Sequence, residues 1–192
     1  GSHSFEVQDI PAIVKVAKDK GIVTFLDNTW ATPLFFPALA AGIDVTMMAC
    51  TKYVVGHSDV MMGSLTSTRA VWPKLRSATY QLGHAVSPDD CAMVLRGLRT
   101  LDVRMARHGA NGLAVANWLD GQPEVGRVLH PARPDDPGHA IWMRDFRGAS
   151  GLFGFTLKGV DEAARTSFVD ALAHFGIGFS WGGYESLVVP SD

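Results

Sequence analysis

The sequence is poor in cysteine and in net charge, and each shortage excludes something. It has 2 cysteines, Cys50 and Cys91, too few for the disulfide framework that stabilises small secreted folds. A reducing cytoplasm is the expected setting. Lysine and arginine number 17 against 19 acids, for a formal net charge of -2. Without a basic surplus, neither nucleic acid nor a membrane surface is an expected partner. No apolar run approaches the roughly 20 residues that span a bilayer, and no secretory leader is visible. Internal repeats and low-complexity tracts are absent too. Gly1-Ser2-His3 reads as the remnant of a cleaved tag and is set aside from the fold.

What is present suits a packed core. The chain has 192 residues, 47% hydrophobic, enough for one large domain or two small ones. Residues from Ile10 to Gly21 read as a helix, with Pro11 in its first turn and Gly21 stopping it after basic residues. Two apolar runs follow, Ile22–Leu26 and Ile43–Ala49. Both have the length and β-branched content of buried strands. The first ends in Asp27, the second in Cys50-Thr51-Lys52. The chain between them, Asn28 to Gly42, suffices for the crossover that a parallel pair needs. Parallel strands place both carboxyl ends on one edge, where open α/β sheets bind ligands. Asp27 and Lys52 are therefore expected to face one crevice.

Further on, the pattern predicts a strand over Met61–Ser67 and a helix over Arg69–Tyr80 that Pro73 interrupts early. Ser87 is a good N-cap, followed by Pro88 and the acids Asp89 and Asp90. The helical pattern behind it runs to about Leu119, and Gly97, Gly109 and Gly112 predict a kink or two helices. Arg96, Arg99 and Arg104 on that stretch read as a solvated or ion-paired face. Val125–Leu129 and Leu152–Leu157 read as strands. His130 to His139, with 3 prolines, reads as irregular surface chain. Asp161 to Phe175 reads as an amphipathic helix with Ala164, Phe168, Leu172 and Phe175 on one face.

An acid and an amine in one crevice form either a salt bridge or a catalytic pair. The second option suits pyridoxal phosphate chemistry, where a lysine amine condenses with the aldehyde and a carboxylate keeps the pyridine nitrogen protonated. His57 and Asp59, with His84 or Cys91, are weaker candidates for a metal site, because their spacing matches no usual zinc pattern.

The order of D-N-T-W (Asp27–Trp30), A-C-T-K-Y (Ala49–Tyr53) and V-G-H-S-D (Val55–Asp59) resembles the Cys/Met-metabolism family of pyridoxal-phosphate enzymes. L-R-G-L-R-T-L-D-V-R-M (Leu95–Met105) and S-W-G-G-Y-E-S-L (Ser180–Leu187) extend the resemblance over nearly the whole chain. Ala49, where the family often has a phosphate-binding serine, resembles the bacterial cystathionine β-lyase branch, as do the first and last motifs.

The resemblance implies an α/β fold of the PLP-dependent transferase type (fold type I). Residues 5–100 would belong to the large, cofactor-binding domain, and residues 101–192 to a smaller α/β C-terminal domain. It implies pyridoxal 5'-phosphate as cofactor, held by Lys52, Asp27 and the Thr51 hydroxyl, with Lys52 catalytic. Ser180 and Trp181 would hold the substrate's carboxylate, with two glycines allowing close backbone approach. No metal is implied. The implied substrate is a small amino-acid thioether, and the implied reaction is cleavage of cystathionine to homocysteine, pyruvate and ammonia. A γ-lyase, a γ-synthase or a cysteine-S-conjugate β-lyase is the alternative. Enzymes of the family are longer than this chain. Their phosphate-binding glycine turn and ring-stacking tyrosine are expected upstream, and their carboxylate-pairing arginine downstream. The chain is thus expected to be a fragment, catalytically silent by itself, of a parent that forms a homotetramer or homodimer.

Overall fold

The computed structural model describes residues 3–191, so Gly1 and Ser2 of the expected tag remnant lie outside the described residues. The chain divides into two compact units, Asp9–Asp102 and a second comprising the segment up to Gln8 with Val103–Asp192.

The Asp9–Asp102 unit opens with helix α1, Ile10–Asp19. The Asp9 carboxylate caps it by accepting from the Ala12 N–H at 3.2 Å, and Pro11 costs nothing in the first turn. Ile10, Val14 and Ala17, one helical face, are buried. Gly21, at φ +65°, turns the chain out of the helix. Strand β1 is Phe25–Asp27, a short helix α2 spans Thr32–Phe35, and β2 is Val45–Ala49. The two strands pair in parallel, with Phe25 opposite Val45 and Asp27 opposite Met47. That register is held from the side. The Asp44 carboxylate accepts from the Thr24 N–H and hydroxyl, both at 2.9 Å, and the Asp44 N–H donates back to Thr24 Oγ1 at 3.0 Å.

β3, Gly63–Ser67, returns antiparallel to β2 and completes a sheet ordered β1-β2-β3. Helix α3 covers Trp72–Gln81. Pro73 starts this helix rather than interrupting it, because a first-turn N–H has no intrahelical partner to lose. No residue of α3 is buried. Helix α4, Pro88–Leu98, begins as its sequence predicts, with Ser87 Oγ accepting from the Asp90 N–H at 3.0 Å. It buries Val94 and Gly97. A core of Cys50, Val54, Val55, Val60 and Val94, flanked by Met48, Met62 and Met93, joins α4 to the chain that follows β2.

Helix α5, Leu101–Asp120, starts after a break at Arg99 and Thr100, so the long helical pattern is two helices. Gly109 and Gly112 lie inside α5 without interrupting it. They are sites of close approach, since a Cβ on Gly109 would meet the Ala149 carbonyl oxygen at 2.4 Å.

In the second unit, β4 (Val125–Leu129) and β5 (Gly154–Leu157) pair antiparallel around helix α6, His139–Asp145. Ala116, Leu119, Val125 and Val128 form the core here, with Phe153, Phe155 and Leu157 against it. Two expectations need correction. The His130–His139 stretch is irregular, but its first part is core: His130 is 0% exposed and Arg133 7%. Arg133 can be buried because Asp120 at 2.7 Å, Asp135 at 3.1 Å and the Asn117 side-chain oxygen at 2.8 Å engage its two terminal nitrogens, while its Nε is buried without a partner. Helix α7 spans Glu162–Asp170 and stops short of Phe175, with Val169 its buried residue while Ala164 is exposed. The Asp161 carboxylate caps it through the Ala164 N–H at 2.8 Å. Strands β6, Gly176–Ile177, and β7, Leu187–Val188, pair in parallel. The chain between them is residues 178–186, shorter than the usual crossover.

Candidate active site

The carboxyl ends of β1 and β2 lie side by side, and the residues just past them are tied together. The Asn28 N–H donates to the Met47 carbonyl at 2.8 Å, which continues the ladder one residue beyond β1. Thr29 Oγ1 accepts from the Ala49 N–H at 2.9 Å. Asn28 Nδ2 donates to the Phe36 carbonyl at 2.9 Å and closes the connection behind them. Asn28 and Thr29 are both buried, at 4% and 6% exposure. The Asp27 carboxylate stays exposed, with Oδ1 accepting from the Thr29 N–H at 2.9 Å. That bond orients the group and leaves Oδ2 for another partner.

Beyond Ala49 the chain folds into a tight turn. The Lys52 N–H donates to the Ala49 carbonyl at 3.0 Å, Val55 N–H to Cys50 at 2.9 Å, and Gly56 N–H to Lys52 at 2.9 Å. Tyr53, Val54 and Val55 are buried at 1%, 5% and 1% exposure, while the Lys52 side chain is half-buried. Burial pushes the Lys52 ammonium below its ordinary pKa, because a desolvated cation is disfavoured. The same desolvation favours the neutral amine, the form in which a lysine acts as nucleophile or base. Thr51 Oγ1 accepts from the Met62 N–H at 2.9 Å and donates to the Met62 carbonyl at 3.3 Å. Its proton has a long bond to leave, because the Thr51 N–H already donates to that carbonyl at 3.1 Å.

Ser180 and Trp181 belong to the other unit, in the connection between β6 and β7. Ser180 is exposed and Trp181 half-buried. Gly182 follows at φ +78° and is buried, a backbone state that glycine adopts without penalty. The chain here is irregular.

The sequence profile of the family described as Cys/Met metabolism PLP-dependent enzyme matches residues 1–191. This chain belongs to that family. It is 47% identical to a cystathionine beta-lyase of Bordetella avium, over 98% of this chain and 48% of the relative. It is 44% identical to a cystathionine beta-lyase of Escherichia coli, over 100% of this chain and 49% of the relative. The crystal structure of cystathionine gamma synthase from Xanthomonas oryzae pv. oryzae superposes with a TM-score of 0.91 at 37% identity, over 97% of this chain and 48% of that one. The fold is thus the fold type I architecture of PLP-dependent enzymes, as the motifs imply. The chain spans about half the length of the curated relatives it matches.

The residues present fit the family's cofactor. A burial-depressed amine, an oriented carboxylate and a threonine hydroxyl share one unit, and the first two flank the open edge of a parallel strand pair. Sequence reasoning singled out Asp27 in its motif but missed Asn28 and Thr29. Their signal was available: two hydrogen-bonding side chains directly after a strand, where a crossover must be tied down. Of the three arginines, Arg96 pairs loosely with Asp59 at 3.8 Å and Arg99 is exposed, whereas Arg104 is half-buried, which lowers its pKa. Among the described residues no group of three or more His, Cys, Asp or Glu is placed to hold a metal, and no helix is long and apolar enough to cross a membrane.

Proposed function

We propose that this chain is the lysine-bearing part of a PLP-dependent carbon–sulfur β-lyase that cleaves cystathionine to homocysteine, pyruvate and ammonia. The observation that carries the reading is the shared edge of β1 and β2, with oriented Asp27 on one strand and the turn of Lys52 after the other. The high identity to cystathionine beta-lyases over the whole chain supports the choice of reaction.

In this reading Lys52 Nζ would hold the cofactor and would take the substrate's α-proton as general base. The bound cofactor supplies an electron sink for the charge left on the α-carbon. Asp27 would keep the ring nitrogen of that group protonated through its carboxylate, which keeps the sink effective. Thr51 would hold the phosphate through its hydroxyl. Ser180 Oγ and N–H groups of the Trp181–Gly183 backbone hold the substrate's carboxylate. The thiolate leaves as homocysteine, and the remaining three-carbon unit is hydrolysed to pyruvate and ammonia. The enzyme works in the cytoplasm, in keeping with its free thiols, as a homodimer or homotetramer of the whole protein. Neither nucleic acid nor membrane is a partner.

A second reading is γ-elimination or γ-replacement, favoured by the close superposition on a γ-synthase. The whole protein incubated with cystathionine separates the two. Homocysteine and pyruvate are expected, and Lys52→Ala should abolish both them and the visible absorbance of the bound cofactor. Cysteine and 2-oxobutyrate would establish the γ reading. Undiminished turnover in Lys52→Ala would overturn both.

A further inference from the structure

Helix α4 touches the lysine turn more closely than any side chain would permit. Gly97, in its last turn, faces that turn. A Cβ built there would lie 2.3 Å from the Val54 carbonyl oxygen, 2.6 Å from that of Val55 and 2.9 Å from Val55 Cα. Comfortable carbon contacts are about 3.5–4.0 Å, so even alanine would drive the turn and the helix apart by about 1 Å. Only backbone atoms stand in the way, and no rotamer change relieves them. Val94 and Met93, one turn earlier on α4, pack with Val54 and Val55 in the same core. Lys52 sits inside this hydrogen-bonded turn: its carbonyl accepts from the Gly56 N–H, and Val55, which α4 touches, donates to Cys50. Moving Val54 and Val55 therefore moves Lys52.

We propose that Gly97 is a positioning residue for Lys52, seating α4 directly on the backbone of the lysine turn and thereby setting where the amine stands. The proposal rests on Lys52 being the amine that takes the cofactor. A misplacement of about 1 Å remote from the chemistry can cost on the order of 100-fold in rate, which is the effect expected of Gly97→Ala.

The test uses the whole enzyme, stripped of cofactor for the trapping and loaded with it for turnover. The stripped enzyme is mixed with pyridoxal 5'-phosphate, the lysine adducts are trapped with borohydride at timed intervals, and each lysine is quantified by mass spectrometry. The other lysines serve as internal reference. Gly97→Ala is expected to slow trapping at Lys52 by about 100-fold relative to them and to lower kcat by a similar factor. Leu98→Ala, exposed on the same helix, should change neither. Trapping at Lys52 at the parent rate in Gly97→Ala, whatever its melting temperature, would overturn the proposal. Should Gly97→Ala fail to fold, Val94→Ala takes its place. It should speed amide exchange at Val55 and Gly56 while the amides of Asn28 and Val45 keep their protection, and unchanged exchange at Val55 and Gly56 would equally refute it. Failure of the underlying reading looks different: Lys52→Ala would leave the trapped cofactor and its absorbance intact.

Discussion

Thr29→Val tests how the crevice edge is held. The substitution keeps the shape of the side chain and removes one oxygen. That oxygen accepts from the Ala49 N–H at 2.9 Å, and Thr29 is only 6% exposed. In the variant the Ala49 N–H would face a methyl group with little water nearby. Leaving a donor unsatisfied in this way costs about 1–3 kcal/mol, a 5- to 150-fold change in the folding equilibrium at about 1.4 kcal/mol per factor of ten. For a chain of this size each kcal/mol lowers the melting temperature by about 2–4 °C. A drop of roughly 2–12 °C is therefore expected, measured by circular dichroism on the cofactor-free chain. Thr29→Ser keeps the oxygen and should lose much less. Amide exchange locates the effect: protection at Ala49 should fall in Thr29→Val and persist in Thr29→Ser. If Thr29→Val melts with Thr29→Ser and Ala49 stays protected, the strand end is held by something other than this bond.

Three further outcomes are expected. Asp27→Asn in the whole protein should retain cofactor, because the shape and the bond from the Thr29 N–H are preserved, yet lose most turnover, since an amide cannot hold the ring nitrogen protonated; near-parental turnover on cystathionine would remove Asp27 from that role. His130 is 0% exposed, and burial pushes its pKa below the ordinary 6.5. A group depressed in the folded state contributes stability that is present above its unfolded pKa and lost as pH falls through the folded one. Urea midpoints should thus decline as pH drops below 6.5, and His130→Phe should flatten that decline, a dependence of equal steepness in both proteins being the adverse result. Ser87→Ala removes the cap on the Asp90 N–H and should cost about 1 kcal/mol in denaturant unfolding, with no loss marking the cap as replaceable by water.

Helix α1 and the starts of α4 and α7 were legible because caps act through residues adjacent in sequence. Asp9, Ser87 and Asp161 each bond an N–H three residues on, and no distant partner is involved. The parallel pairing of β1 and β2 was legible for a similar reason, since two apolar runs separated by a crossover have few other ways to pack. The edge that carries Asp27 and precedes Lys52 followed from it. Helix α6 was not legible: its short Ala-Ile-Trp-Met run follows a proline-rich loop whose composition points to surface chain, and it carries no side-chain cap. The burial of Arg133 depended on Asn117 and Asp120, partners on helix α5, and His130 packs its ring against Phe153. Gly97 read as a possible kink, but only the folded chain brings the Val54 carbonyl against it. Residue identity and local spacing determined which groups do chemistry and where helices begin, because those depend on near neighbours along the chain. Burial, the lowered pKa of Lys52 and the seat of α4 were decided by tertiary structure, because desolvation and steric contact depend on which distant backbone arrives alongside.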